Sequence, residues 1–201
     1  MVVDDPRARA ILDYWFGTSS DPLANRKLWF GGGEAVDAEI RQRFADDVAA
    51  VAAGERAHWS DDPQTTLAAI IAIDQFTRNL YRNDGRAWEH DPLAQQLTLD
   101  LLRSGRDVEL TPVQRWFAYM PLMHAEDRAL QDESVQRFAE LAETAPEGPV
   151  RDALSGALDY ARRHAAVIYL FGRYPHRNER LGRESSEAER LFLKVPGVAF
   201  G

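Results

Sequence analysis

Three short stretches of this 201-residue chain place ionisable side chains inside apolar, helix-patterned sequence. Burying such groups without partners is costly, so each stretch demands either internal partners or a ligand. The first is Ile73-Asp74-Gln75-Phe76-Thr77-Arg78-Asn79-Leu80-Tyr81-Arg82. Asp74, Arg78 and Arg82 recur every fourth residue and share one side of a helix. Asp74 can neutralise Arg78, while Arg82 offers a second cation near the helix end. This pattern suits an ion pair that fixes a helix terminus. It equally suits an arginine held by a carboxylate to meet an anion.

The second stretch, from Tyr119 to Arg128, contains His124, Glu126 and Asp127. His124 and Asp127 are three apart and can share a helical face. The aspartate would then orient the imidazole and raise its basicity, as a general base requires. Three readings stay open: structural hydrogen bonding, acid–base or substrate contact, and a divalent metal held by the histidine and two acids. The spacing has none of the force of a two-histidine HExxH metal motif, so no metal and no cofactor is predicted.

The third stretch begins with His164, set among Ala161, Ala165 and Ile168, and continues through a glycine- and proline-shaped loop over 171–183. That loop carries Arg173, His176, Arg177, Asn178 and Arg183. Crowded cations repel one another unless acids or a ligand answer them, and planar guanidinium forks match carboxylate or phosphate. An Arg-Asn pair followed by another arginine occurs in both the first and third stretches, at Arg78-Asn79 and Arg177-Asn178. Two such turns facing one cavity form a geometric expectation.

The combined reading is a small anionic ligand, a carboxylate or phosphate. His124, Asp127 and His176 are the proton-moving candidates. Asp74, Arg78, Asn79, Arg82, His164, Arg173, Arg177, Asn178 and Arg183 are the ligand-binding candidates. Two alternatives stand beside it: a helical module that takes a peptide in its groove, and an internal ion network that takes no ligand. No reaction class or oligomeric state is legible in these motifs.

The elements that must position these residues are helical. Apolar spacing predicts helices over 7–16, 34–53, 67–80, 131–144 and 151–171. Asp91-Pro92 and Thr111-Pro112 are helix starts. The second of these runs toward Tyr119, with Pro121 expected to kink or restart it. Ser185 or Ser186 opens a last helix through Leu193. Strand-patterned segments are nearly absent. The expected class is therefore all-α, a single domain over 1–201 of eight or nine helices in antiparallel pairs.

Composition narrows the function classes. The chain has no cysteine, which excludes a disulfide scaffold, a cysteine–zinc site and a cysteine nucleophile. Its net charge is −8, and only Lys27 and Lys194 are lysines, so nearly all positive charge is arginine. The segment 162–183 holds six arginines and one acid, whereas the remainder is strongly acidic. An extended nucleic-acid surface is disfavoured, and a compact anion site is not. The start carries no leader pattern, and no apolar run is long enough to cross a membrane, so a cytoplasmic address is expected. An apolar tail over 195–201 is expected to dock on the body or on another subunit.

The three stretches, together with Leu12-x-Tyr14-Trp15-Phe16-Gly17 and Trp29-Phe30, resemble the bacterial proteins known as domain of unknown function 924. The likeness spans nearly the whole chain. It departs at Thr77, where the family pattern has proline. The resemblance implies an all-helical fold similar to tetratricopeptide-repeat proteins, and it implies no reaction.

Overall fold

The computed structural model describes residues 5–197. The docking expected of the tail therefore lies outside the described residues at 198–201, as do residues 1–4 of the start. Helix α1 spans Pro6–Phe16, α2 Arg26–Phe30 and α3 Glu34–Ala52. One rod follows, built from α4 (Pro63–Ile70), a π-helical segment (Ile71–Phe76) and α5 (Thr77–Leu80). Then come α6 (Asp91–Arg103), α7 (Pro112–Met123), α8 (Arg128–Thr144), α9 (Pro149–Phe171) and α10 (Glu187–Phe192). With the rod taken as one element, the described residues form nine helices and no strand.

The central rod explains the arrangement. From Leu67 to Ile73 it is apolar on every side, and a helix of that kind is stable only when surrounded. Helices α1, α3, α6 and α7 all pack on it or on its π segment. Asp62 caps its start by accepting from the Gln64 N–H at 2.9 Å. An aromatic cluster fills the space beside it. Trp15 meets Phe76 and Phe117 edge-on, each at 5.6 Å between centroids, and the Trp29 indole donates to the Trp15 carbonyl at 2.7 Å. Helices α8 and α9 form the most extensive pair in the fold, as their short connection dictates.

Two expectations change. Helix α7 runs through Pro121 to Met123 without restarting. Pro121 has no N–H to give to the Phe117 carbonyl, so the helix continues past it with one backbone bond fewer. The turn after it is not helical. His124 closes α7, and Asp127 has extended backbone (φ −141°) and accepts from the Leu130 N–H as the cap of α8. The three-residue spacing between His124 and Asp127 therefore spans a break between helices and never becomes a shared face.

A short 3₁₀ turn, Gly85–Trp88, connects the rod to α6. A Cβ on Gly85 would lie 2.7 Å from the backbone oxygen of Arg180, so this glycine lets two loops touch. In contrast, a Cβ on Gly156, inside α9, would meet nothing within 4 Å. Gly85→Ala should therefore lower stability by about 1–3 kcal/mol through overpacking against backbone. Gly156→Ala should raise it by roughly 0.5–1 kcal/mol, the helix-interior gain over glycine. Urea denaturation of the two variants, which differ in the sign of the effect, checks both.

Candidate functional site

The π segment carries Asp74, and every residue of that segment is buried. The Asp74 carboxylate is wholly enclosed and has three polar neighbours. His124 Nδ1 lies 2.8 Å from Oδ1, Arg78 Nη1 lies 3.2 Å from the same oxygen, and Gln75 Nε2 donates to Oδ2 at 2.6 Å. Burial alone would oppose its ionisation. Arg78 and His124, with the hydrogen bond from Gln75, outweigh that cost and hold the carboxyl below the usual carboxylate range. An ionised Asp74 can only accept, so His124 Nδ1 carries the proton and its Nε2 keeps the lone pair. Burial pushes the His124 pKa below its ordinary value, Arg78 reinforces the shift, and Asp74 only partly opposes it. The ring is therefore neutral near pH 7.

Arg78 continues the network. Its Nη2 donates to both oxygens of Asp91, at 3.0 and 3.2 Å. Asp91 Oδ2 also accepts from Arg177 Nη1 at 3.2 Å. Arg177 is buried, lies over the rings of Trp88 (5.2 Å) and Tyr174 (4.6 Å), and keeps its Nε buried without a hydrogen-bond partner. Burial lowers its pKa, and Arg78 adds to the effect. Two aspartates thus face two arginines, and the set is charge-balanced with His124 neutral. The two Arg-Asn turns do approach one another, since Arg78 and Arg177 meet on one carboxylate.

These groups form part of the wall of a cavity of about 850 Å³. Arg78, Arg82, His124, His164, His176 and Arg177 all line it, so the structure brings six of the expected residues together. His164 Nδ1 donates to the Tyr160 carbonyl at 2.8 Å, and its ring lies 6.2 Å from that of His124. Desolvation first, then neighbouring cations, push His164 down to about 3 and His176 down to about 4. Trp88, His124 and Arg177 also border a second cavity, of about 510 Å³.

Other expected residues do not line the main cavity. Asp127 is exposed and serves as the α8 cap, so its pairing with His124 is corrected to Asp74. Asn79 donates to Asp37 at 2.8 Å. Arg173 forks onto Glu189 at 2.7 and 2.9 Å. Asn178 bridges Ser185 and Arg183, each at 3.0 Å, and Arg183 Nη2 donates to Glu126 at 2.8 Å. Arg82 lines the cavity yet is held by Asp37, at 2.6 and 2.7 Å. Among the described residues no group of three or more His, Asp or Glu is placed to hold a metal ion.

Sequence reasoning missed Asp91 and Arg180 as network or cavity residues. Asp91 reads as a helix start, and it does open α6. Its carboxylate, however, turns toward two arginines rather than toward its own helix. Local spacing carries no signal for that choice.

Residues 11–197 match the family described as bacterial protein of unknown function (DUF924). The chain belongs to that family. It is similar to the solved structure of ATU0120, a protein of unknown function from Agrobacterium tumefaciens. The two share 32% identity and a TM-score of 0.79, with 93% of this chain and 96% of that chain covered. No curated protein matches it.

Removing the Asp91 carboxylate leaves one buried positive charge in excess and strips Arg177 of its carboxylate partner, while Arg78 keeps Asp74. Asp91→Ala should cost about 3–5 kcal/mol, the range for breaking a buried pair from one side, measured by urea denaturation. Acid also acts on the histidines. His164 and His176 titrate near 3 and 4 in the folded chain and near 6.5 when unfolded, so the unfolded state binds more protons between those limits. Their contribution is complete above about pH 6.5 and is lost as pH falls through 4 toward 3. The melting temperature should fall over that window, and His164→Asn should flatten the slope between pH 6.5 and 5.

Proposed function

We propose that this DUF924 chain binds a small anionic molecule in the main cavity and exchanges a proton with it through His124. One observation carries the reading: a fully buried carboxylate, Asp74, holds Nδ1 of a histidine in the wall of a cavity that arginines also line. That pairing fixes the tautomer that leaves Nε2 as the accepting atom. The depressed pKa keeps His124 a neutral base at pH 7. Arg82 and Arg180 supply guanidinium groups at the exposed edge, and Arg177 supplies one among the buried groups. His176 is the second proton-transfer candidate within the same wall.

A separate observation favours the structural reading for part of the third stretch. Arg173, Asn178 and Arg183 are each engaged by side chains of the chain itself, Glu189, Ser185 and Glu126. In this account they pin the 172–186 loop to the end of α7 and the start of α10. The anion-binding role falls to the arginines in the cavity wall.

Incubating the purified protein with a small-metabolite extract, followed by mass spectrometry, tests the proposal. The wild type should retain or convert an anionic metabolite. His124→Gln should slow conversion by about 100-fold or more, the usual loss on removing a general base. Arg180→Gln, at a guanidinium whose hydrogen-bond partner is the neutral Asn83, should weaken retention with little effect on melting. A wild-type protein that neither retains nor converts any anion sinks the proposal.

A further inference from the structure

On the footing of that reading, we propose that the ligand is amphipathic. It carries a carboxylate or phosphate on a flat apolar body, with the anion held by Arg26 and Arg180 and the body reaching inward to His124.

Size is the first argument. A bare carboxylate or phosphate needs far less than 850 Å³, whereas cavities of roughly 300–1,000 Å³ suit ligands with a substantial body. The wall is the second. Phe30 is 55% exposed although it is a large aromatic residue, and it lines this cavity. It stacks on Trp116 at 5.6 Å and 27°, and Trp116 stacks on Phe117 at 5.6 Å and 23°. Phe30 and Trp116 both line the cavity, so stacked aromatic rings make up part of its wall, a surface that suits an aromatic or otherwise planar body.

Room is the third. Ala153, Gly156 and Ala157 of α9 line the same cavity. A glycine inside a helix is unfavourable, and nothing in the packing requires this one, because a Cβ would enter open space. That space is cavity, and a side chain there would occupy ligand volume.

Charge locates the anion. Among the buried groups, Arg78 and Arg177 are answered by Asp74 and Asp91. At the exposed margin, Arg82 is answered by Asp37. Arg180 donates to the neutral Asn83 at 2.6 Å, and among the described residues neither it nor Arg26 has a carboxylate partner. Only Asp152 among the cavity residues there is an unpaired acid, so positive charge is in excess at this margin. An anion gains most at that margin, and the balanced interior suits an uncharged reacting end near His124.

Isothermal titration with four probes tests this: 2-naphthoate, its neutral amide 2-naphthamide, acetate and inorganic phosphate. 2-Naphthoate should bind at least about tenfold more tightly than each of the other three. Gly156→Phe and the double variant Arg26→Gln/Arg180→Gln should each weaken it by about tenfold or more without lowering the melting temperature. If Gly156→Phe fails to fold, Gly156→Leu takes its place. Acetate or phosphate binding as tightly as 2-naphthoate overturns the amphipathic ligand and leaves the anion site standing. Equal binding of the amide overturns the anion's place in recognition. Binding of 2-naphthoate that ignores both variants overturns the assigned location. No binding by any probe overturns this proposal, and an extract that still yields a retained anion then keeps the broader reading separate.

Discussion

A single carboxylate holds the centre of this molecule together. Asp91 accepts from Arg78 and Arg177, two guanidinium groups that would otherwise repel each other in a poorly solvated interior. The pairing joins the central rod, the start of α6 and the loop after α9. Arg78 in turn holds Asp74, and Asp74 holds His124. The orientation of the imidazole is thus inherited from an ion network. Each member is fixed by the next, so the side chains facing the cavity are set before any ligand arrives.

The rest of the fold serves that network in simple ways. A rod buried on all sides brings Asp74 to the interior, and no surface helix could do so. The π segment at that point widens the helix locally, a feature often found beside functional groups. The end of the rod then releases Arg82 toward Asp37 rather than along the Asp74–Arg78 side. Tyr174 ties the last loop down, its hydroxyl donating to the Met123 carbonyl at 2.6 Å beside His124.

Much of this was legible in the sequence, and the failures share one cause. Helix starts and stops are local, and Thr111 and Ser186 cap where their neighbours said they should. The Asp74–Arg78 pair is also local, four residues apart on one rod. His124 was identified as a chemical residue, but its partner was sought three residues away rather than fifty. Asp127 had a stronger use as a helix cap, and Glu126 as the acceptor for Arg183. Acids near a break are claimed by unsatisfied backbone before they are available to a histidine. The role of Asp91 was invisible because its two partners lie 13 and 86 positions away.

That separation bears on how the protein is made. The cavity draws on α2, the central rod, α7, α9 and the loop beyond it, so its parts are scattered along the whole polypeptide. Chains emerge from the ribosome amino end first and begin to fold as they do. Arg78 and Asp91 therefore leave the ribosome well before Arg177 and Arg180 are made. Until those late residues arrive, Asp91 lacks one of its two guanidinium partners. The final stretch of translation is then what completes the cavity wall, and a chain stopped short of it would lack the side that His176, Arg177 and Arg180 supply.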